Sequence, residues 1–172
     1  EGRVFAFEAL PANRERLQAN LALNTEGRVA EVVAKAVAAQ SGSLEFLVHA
    51  SGGMGKLAGS AGRDEKYAER IHVEAIALDD FAYQPGRPAP DLIKLDIEGG
   101  ESAALQGMPR LLAAARPRLL IELHGPDAAQ SVWQQLSNAG YRLHRMEKGY
   151  PAVHSLDDLD WKAYLMAEAV DG

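Results

Sequence analysis

The sequence contains no cysteine, and this absence excludes several classes of chemistry. Without thiols the chain forms neither a disulfide framework nor a zinc ribbon, and it has no thiol nucleophile. Any metal site must therefore be built from Asp, Glu or His. A chain without cysteine also suits a reducing compartment, so we expect a cytoplasmic protein.

Long apolar runs and an excess of positive charge are absent as well. No stretch approaches the roughly 18 apolar residues that a membrane-spanning helix needs. The 172 residues carry 18 Lys and Arg against 24 Asp and Glu, a net charge of -6. Because this charge opposes attraction to phosphate backbones and anionic lipids, we expect neither nucleic acid nor a membrane as a partner.

What the sequence does contain is an alternation of strand and helix patterns, typical of an α/β fold with a parallel sheet covered on both faces. Residues 29–37 fit either a strand or a helix, and we interpret residues 29–49 as two strands with a turn. Residues 51–70 predict a long surface loop. Pro109 is expected to break or kink the helix that begins at Glu101. Strands are predicted at residues 4–8, 71–78, 91–97, 118–124, 141–146 and 163–167, and helices from Pro11, from Glu101 and over residues 127–139. The whole chain, residues 1–172, is interpreted as one domain.

Three groups of polar residues follow predicted strands, where α/β sheets bind their ligands. Glu8 could accept hydrogen bonds from both hydroxyls of a ribose, although an exposed glutamate is also often simply solvated. Glu122 and His124 share one face at the end of another strand, and histidine is the side chain most easily tuned to move protons near neutral pH. A lone histidine at a strand end can equally be structural.

The third group is the segment from Asp96 to Glu101. Asp96 and Glu98 point to one face by the period of two, and the glycines between Glu98 and Glu101 permit a tight turn into a helix. Such a carboxylate cluster can hold a divalent metal, bind a cationic ligand or supply a general base. The alternative is that Glu101 complements its helix N-terminus and Glu98 faces water.

These motifs, in this order, resemble FkbM-type S-adenosylmethionine-dependent methyltransferases. The resemblance extends from the first residue to about Ala167, and the Lys-Leu-Asp-Ile-Glu-Gly segment at residues 94–99 is its most specific part. Its motifs are residues 4–8 with Pro11 and Asn13, Asn20 and Asn24, residues 78–81, residues 91–101 and residues 122–124.

The resemblance implies a Rossmann-like, doubly wound, mostly parallel seven-stranded methyltransferase sheet and S-adenosylmethionine as cofactor. It implies transfer of a methyl group to a hydroxyl of a small molecule, a sugar or another secondary metabolite. Glu8 would bind the cofactor's ribose, and the turn formed by Ala36, Val37 and Ala38 would border its adenine. Asp96 would lie by the methionine end, with Glu98 and His124 facing the acceptor hydroxyl; we therefore predict Asp96, Glu98 and His124 as catalytic. A divalent metal remains possible there.

One departure from the family pattern concerns the N-terminal part. The resemblance implies a first strand, a glycine-rich loop and a helix ahead of residue 4, and we expect the chain to be N-terminally truncated. Two alternatives therefore stay open. The chain could be a catalytically silent α/β binding module, or a nicotinamide oxidoreductase, for which Glu8 is the sole support because no GxGxxG motif occurs.

Overall fold

The computed structural model describes residues 2–23, 29–50, 55–60, 67–160 and 162–170. Within these ranges the strands are β1 (Val4–Phe7), β2 (Ala30–Val33), β3 (Ala36–Val37), β4 (Gly42–His49), β5 (Gly55–Leu57), β6 (Tyr67–Ile76), β7 (Leu92–Leu95), β8 (Arg118–Glu122), β9 (Tyr141–Arg145) and β10 (Tyr164–Ala169). The α-helices are α1 (Pro11–Ala22), α2 (Leu78–Ala82), α3 (Glu101–Gln106) and α4 (Pro126–Asn138). A π-helical turn covers Leu111–Ala115, and a 3-10 turn covers Leu156–Asp158.

The described strands form three sheets. The first pairs β1 and β2 in parallel, and the second has the order β7-β8-β10-β9. Only the β7–β8 pair of the second sheet is parallel, because β10 runs antiparallel to both β8 and β9. The third sheet has the order β3-β6-β4-β5 and is also mixed. The α/β class is therefore confirmed, whereas the single, mostly parallel seven-stranded sheet is not.

The larger hydrophobic core lies around the second sheet. It joins the inner faces of α3, the π-helical turn and α4 to β8, β9 and β10. Leu119, Val132, Leu136 and Leu165 are completely buried in it. A smaller core lies on the third sheet and includes Phe46 and Val73 together with Ala36 and Ala38. The larger core supports the carboxyl ends of β7 and β8, where the site described below is built.

Several expected elements end close to their predicted bounds. Helix α1 begins at Pro11, as expected, although none of its residues is fully buried. Strand β8 stops at Glu122, two residues earlier than predicted. Helix α4 begins at Pro126, and Gly140 follows it with a φ of +76°, a left-handed conformation that favours glycine.

Other expectations need correction. The predicted loop at residues 51–70 contains β5 and the start of β6, because both strands pair with β4; residues 51–54 and 61–66 lie outside the described ranges. The break expected near Pro109 is confirmed, because the helix from Glu101 stops at Gln106 and Pro109 begins the first turn of the next helical segment, where proline is tolerated. Strand β7 is less buried than predicted, since Leu92 is 53% exposed.

The predicted turn at Ala36, Val37 and Ala38 is also corrected. Ala36 and Val37 form β3, which pairs with β6 in parallel, and the turn falls just before them. The backbone N–H of Ala38 continues this pairing by donating to the Ile76 carbonyl at 3.1 Å. Sequence reasoning missed this strand because its pairing partner lies almost forty residues away.

Candidate functional site

Parallel pairing brings two predicted groups of polar residues together. In the β7–β8 pair, Leu95 lies opposite Ile121. The residues that follow, Asp96 on one strand and Glu122 on the other, therefore leave the sheet side by side at its carboxyl edge. Glu98 and His124 lie two residues further along each chain segment. We call Asp96, Glu98, Glu101, Glu122 and His124 the carboxylate–histidine cluster.

His124 is the centre of this cluster. Its side chain is only 3% exposed, and its Nε2 atom lies 3.7 Å from Glu122 Oε1, 3.8 Å from Glu98 Oε2 and 4.0 Å from Asp96 Oδ1. All three separations exceed hydrogen-bond length. On the other side of the ring, Nδ1 lies 3.0 Å from Glu101 Oε1.

Glu101 is completely buried and holds both the histidine and the preceding turn. Its Oε1 atom also accepts hydrogen bonds from the backbone N–H groups of Ile97 at 3.3 Å and Gly99 at 3.2 Å. We expected Glu101 to complement the N-terminus of its helix, but its main side-chain contact is with His124. The sequence carries no signal for that contact, because His124 lies 23 residues further on.

The groups around the imidazole shift its pKa. The hydrogen bond to Glu101 raises the pKa of His124, and the Glu98 and Glu122 carboxylates raise it further, while burial acts in the opposite direction. Two of the acidic residues have partners of their own. Lys94 Nζ lies 2.7 Å from Asp96 Oδ2, and the Tyr164 hydroxyl donates to Glu122 Oε1 at 3.0 Å.

Glu98 differs from the other acidic residues in its backbone. Its φ is +52°, which side chains other than glycine adopt at a cost in energy, and such strain is concentrated at functional sites. Within the described ranges its carboxylate makes no hydrogen bond, and its one ion-pair partner there is His124. Glu98 is therefore held in a strained turn with its carboxylate available.

A cavity of about 510 Å³ lies beside Tyr164. It lies between the end of β9 and the start of β10, and Arg145, Glu147, Lys162 and Tyr164 are among its lining residues. Because the Tyr164 hydroxyl also bonds Glu122, this side chain links the cavity to the cluster. Sequence reasoning missed Tyr164, since only the antiparallel register of β10 on β8 places it opposite Glu122.

The residues predicted to bind a cofactor lie outside the cluster, apart from Asp96. Glu8 follows β1; its Oε1 accepts a hydrogen bond from the Leu10 N–H at 2.8 Å and its Oε2 one from Asn13 Nδ2 at 3.2 Å. Ala36 and Ala38 are buried in the smaller core, and Val37 is half-buried. Their proposed contacts with a cofactor stay predictions.

Comparison with known proteins gives one family and two solved structures. The family pattern described as the Methyltransferase FkbM domain matches residues 1–143. The crystal structure of methyltransferase FkbM from Methylobacillus flagellatus KT superposes with a TM-score of 0.57 at 20% identity, covering 96% of this chain and 36% of that one. This chain thus spans about a third of the length of that protein. No curated protein sequence matches.

The second structure is precorrin-6y C5,15-methyltransferase from Geobacter metallireducens GS-15, with 14% identity and coverage of 98% of this chain and 68% of that one. Its TM-score of 0.49 is too low to support a shared fold. Among the described residues, no helix combines the length and the apolar character needed to cross a membrane.

Proposed function

Because the chain belongs to the FkbM methyltransferase family, we propose that it forms part of an S-adenosylmethionine-dependent enzyme that methylates a hydroxyl group of a small molecule. The observation that carries this proposal is the carboxylate–histidine cluster at the carboxyl edge of β7 and β8. Ligands of open α/β sheets bind at this edge. We propose a sugar or another secondary metabolite as the acceptor.

In the proposed reaction the acceptor oxygen attacks the methyl carbon of the sulfonium. A carbon–oxygen bond forms, the carbon–sulfur bond breaks with its electron pair going to sulfur, and the hydroxyl proton passes to a base. We assign that base to Glu98, because its carboxylate has no hydrogen-bond partner among the described residues, whereas Lys94 binds Asp96 and Tyr164 binds Glu122. Alignment of the two reactants would supply most of the rate.

His124 and Asp96 would shape the acceptor side. The buried His124 ring would hold the surrounding carboxylates in place, while Asp96 would lie near the methionine part of the cofactor. The cavity beside Tyr164 is lined by charged and hydrogen-bonding side chains. Such a lining suits a polar acceptor with several hydroxyl groups better than an apolar one.

On the cofactor side, we propose that Glu8 accepts hydrogen bonds from the ribose hydroxyls. Its two contacts with the start of α1 fix the carboxylate without exhausting it, since each carboxylate oxygen accepts more than one hydrogen bond. Ala36, Val37 and Ala38 would border the adenine. The methionine part would need the first strand and glycine-rich loop that the resemblance implies.

The proposal is tested by calorimetric titration of S-adenosylmethionine. We expect a form extended by the first strand and glycine-rich loop to bind the cofactor and the 172-residue chain to bind it far more weakly. In the extended form, Glu8→Gln should weaken binding at least about tenfold, the effect of losing a charge-assisted hydrogen bond. Glu15→Gln, an exposed change on α1, should leave it unaltered.

Three results would contradict the proposal. Absence of binding by both forms would favour the catalytically silent module. Binding of a nicotinamide cofactor in place of S-adenosylmethionine would favour an oxidoreductase. Equal effects of Glu8→Gln and Glu15→Gln would remove Glu8 from the cofactor site.

A further inference from the structure

Three side-chain atoms from two strand ends converge on one point of the cluster. Asp96, Glu122 and His124 each offer one oxygen or nitrogen atom, and these atoms all lie within 4.8 Å of one another. They are too far apart to bond each other directly, since Nε2 is 3.7 Å from Glu122 and 4.0 Å from Asp96. Atoms at such separations can instead share a central ligand.

The state of His124 is a second and independent observation. The side chain is 97% buried, and its Nδ1 atom is hydrogen-bonded to Glu101 Oε1. Among the described residues, Nε2 has no hydrogen-bond partner, although it faces the carboxylates. The His124 ring is therefore held by Glu101 and turned so that Nε2 faces three carboxylates without a hydrogen bond to any of them, a direction that points to a ligand between the ring and the carboxylates.

We propose that Asp96, Glu122 and His124 bind a divalent first-row transition-metal cation. Ligand atoms around a tetrahedral cation at about 2.1 Å lie about 3.4 Å apart, so the two separations of 3.7 and 4.0 Å from Nε2 and the remaining one, within 4.8 Å, all need to shorten on binding. Side-chain rotation at Asp96 and Glu122 can supply this movement because both side chains are partly exposed.

The contact between Glu101 and His124 fits this assignment. Metal-binding histidines usually donate their other ring N–H to a carboxylate, which fixes the ring and raises its basicity. Glu101 Oε1 occupies that position at 3.0 Å from Nδ1. Glu101 is thus a positioning residue that acts on the cation through His124.

Charge and ligand type narrow the choice of cation. The cluster contains four carboxylates, and among the described residues Lys94 forms a salt bridge with one of them, Asp96. A divalent ion would therefore reduce the mutual repulsion of the carboxylates. Magnesium and calcium prefer oxygen ligands alone, whereas one imidazole with two carboxylates suits manganese, iron, cobalt or zinc. We therefore choose Mn²⁺ as the probe, because its electron paramagnetic resonance signal reports binding directly.

The cation would also assist the proposed methyl transfer. Bound to the acceptor oxygen, it would lower the pKa of the hydroxyl and so ease transfer of its proton to Glu98. This catalytic role rests on the proposed methyl transfer, whereas binding of the cation rests on the cluster alone.

The test is a titration of Mn²⁺ into the chelator-treated 172-residue chain at about pH 8, where protons compete less for the ligands. We expect one saturable site per chain. Asp96→Asn and Glu122→Gln should each weaken binding at least about tenfold, and Glu101→Gln by about 10- to 100-fold, as is usual for an orienting carboxylate. Glu147→Gln, a change at the cavity but outside the cluster, is the matched control and should bind like the unaltered chain.

Circular dichroism would verify that each variant is folded. The proposal is overturned if the unaltered, folded chain shows no saturable Mn²⁺ binding, or if Asp96→Asn and Glu122→Gln bind as tightly as Glu147→Gln. S-adenosylmethionine titrations on the extended form separate the two proposals. Mn²⁺ binding without cofactor binding would contradict the methyltransferase, and the reverse would contradict the cation site alone.

Discussion

At the scale of single residues, Glu98 combines a strained backbone with a crowded charge. Its φ of +52° costs free energy in the folded state, while its carboxylate lies 3.8 Å from His124 Nε2. A residue selected for stability alone would be glycine here, because glycine adopts positive φ without steric cost. The strain is therefore consistent with a functional role, since active sites commonly sacrifice stability.

Relief of the backbone at Glu98 is expected to stabilise the chain. Glu98→Gln should change the free energy of unfolding little, because it removes the attraction to His124 together with any repulsion from the neighbouring carboxylates. Glu98→Gly should raise it by about 1 kcal/mol more, because relief of left-handed strain exceeds the entropy cost of glycine. Urea unfolding measures both changes.

Arg116→Gly is the matched control, since Arg116 has a φ of +51° but lies outside the cluster. It should gain from backbone relief, less the loss of the hydrogen bond that the Arg116 guanidinium donates to the Val170 carbonyl oxygen at 2.7 Å. If Glu98→Gly is less stable than Glu98→Gln, the backbone at Glu98 is not strained and the argument fails.

Most members of the cluster were predicted from the sequence, because the ends of strands are marked by local sequence patterns. The period of two and the following glycines singled out Asp96 and Glu98, and the expected parallel sheet brought them near His124. The contacts of Glu101 with His124 and of Tyr164 with Glu122 could not be predicted, because each joins residues more than twenty positions apart.

At the scale of elements, the end of α3 packs directly on the end of β3. A methyl group added at Gly107 would overlap the carbonyl oxygen of Ala38 and lie 3.3 Å from the Ala77 Cα atom. The backbone nearby is fixed, because Gly107 accepts a hydrogen bond from the Asp79 N–H, and the Asp79 carboxylate accepts from the N–H groups of Arg110 and Leu111.

Gly107→Ala therefore sets two effects against each other. Helix propensity alone predicts a gain of up to about 1 kcal/mol. Overlap with fixed backbone atoms predicts a loss of about 1–3 kcal/mol. We expect the loss to dominate in urea unfolding, since a carbonyl oxygen cannot rotate away as a side chain can.

Gly2→Ala provides the control, because nothing lies within 4 Å of the added methyl group. Its stability should change by less than about 0.5 kcal/mol. A Gly107→Ala chain as stable as Gly2→Ala would show that α3 and β3 are not in close contact.

Elements with strong local signals were predicted best. Proline and glycine mark both ends of α4, and the apolar run of β8 is unambiguous. Strands β3 and β5 have two and three residues, too few for a periodic pattern, and they exist because longer strands pair with them.

At the scale of the whole molecule, the order of the strands was the hardest feature to predict. Alternation of strands and helices favoured one parallel sheet, yet β10 and the β4–β6 pair run antiparallel. Pairing direction is decided by contacts distant in sequence, which local patterns do not encode. The alternation predicted the α/β class, and the resemblance to a family did not predict these pairings.

Strands β1 and β7 are among those that leave one edge free within the described part of the chain. Strand β1 pairs with β2, and β7 pairs with β8. Val4 on β1 is 54% exposed and Leu92 on β7 is 53% exposed. Exposed apolar edge strands template pairing between chains, so we predict that the isolated chain self-associates as its concentration rises.

Lysine on an edge strand opposes such pairing, because it places a charge where another strand would approach. Val4→Lys and Leu92→Lys should each raise the concentration needed for association at least about tenfold, as measured by sedimentation velocity. Leu23→Lys is the control, because Leu23 is 84% exposed but follows a helix. A chain that stays monomeric at every concentration, or one that Leu23→Lys dissociates equally well, would show that the free edges do not drive association.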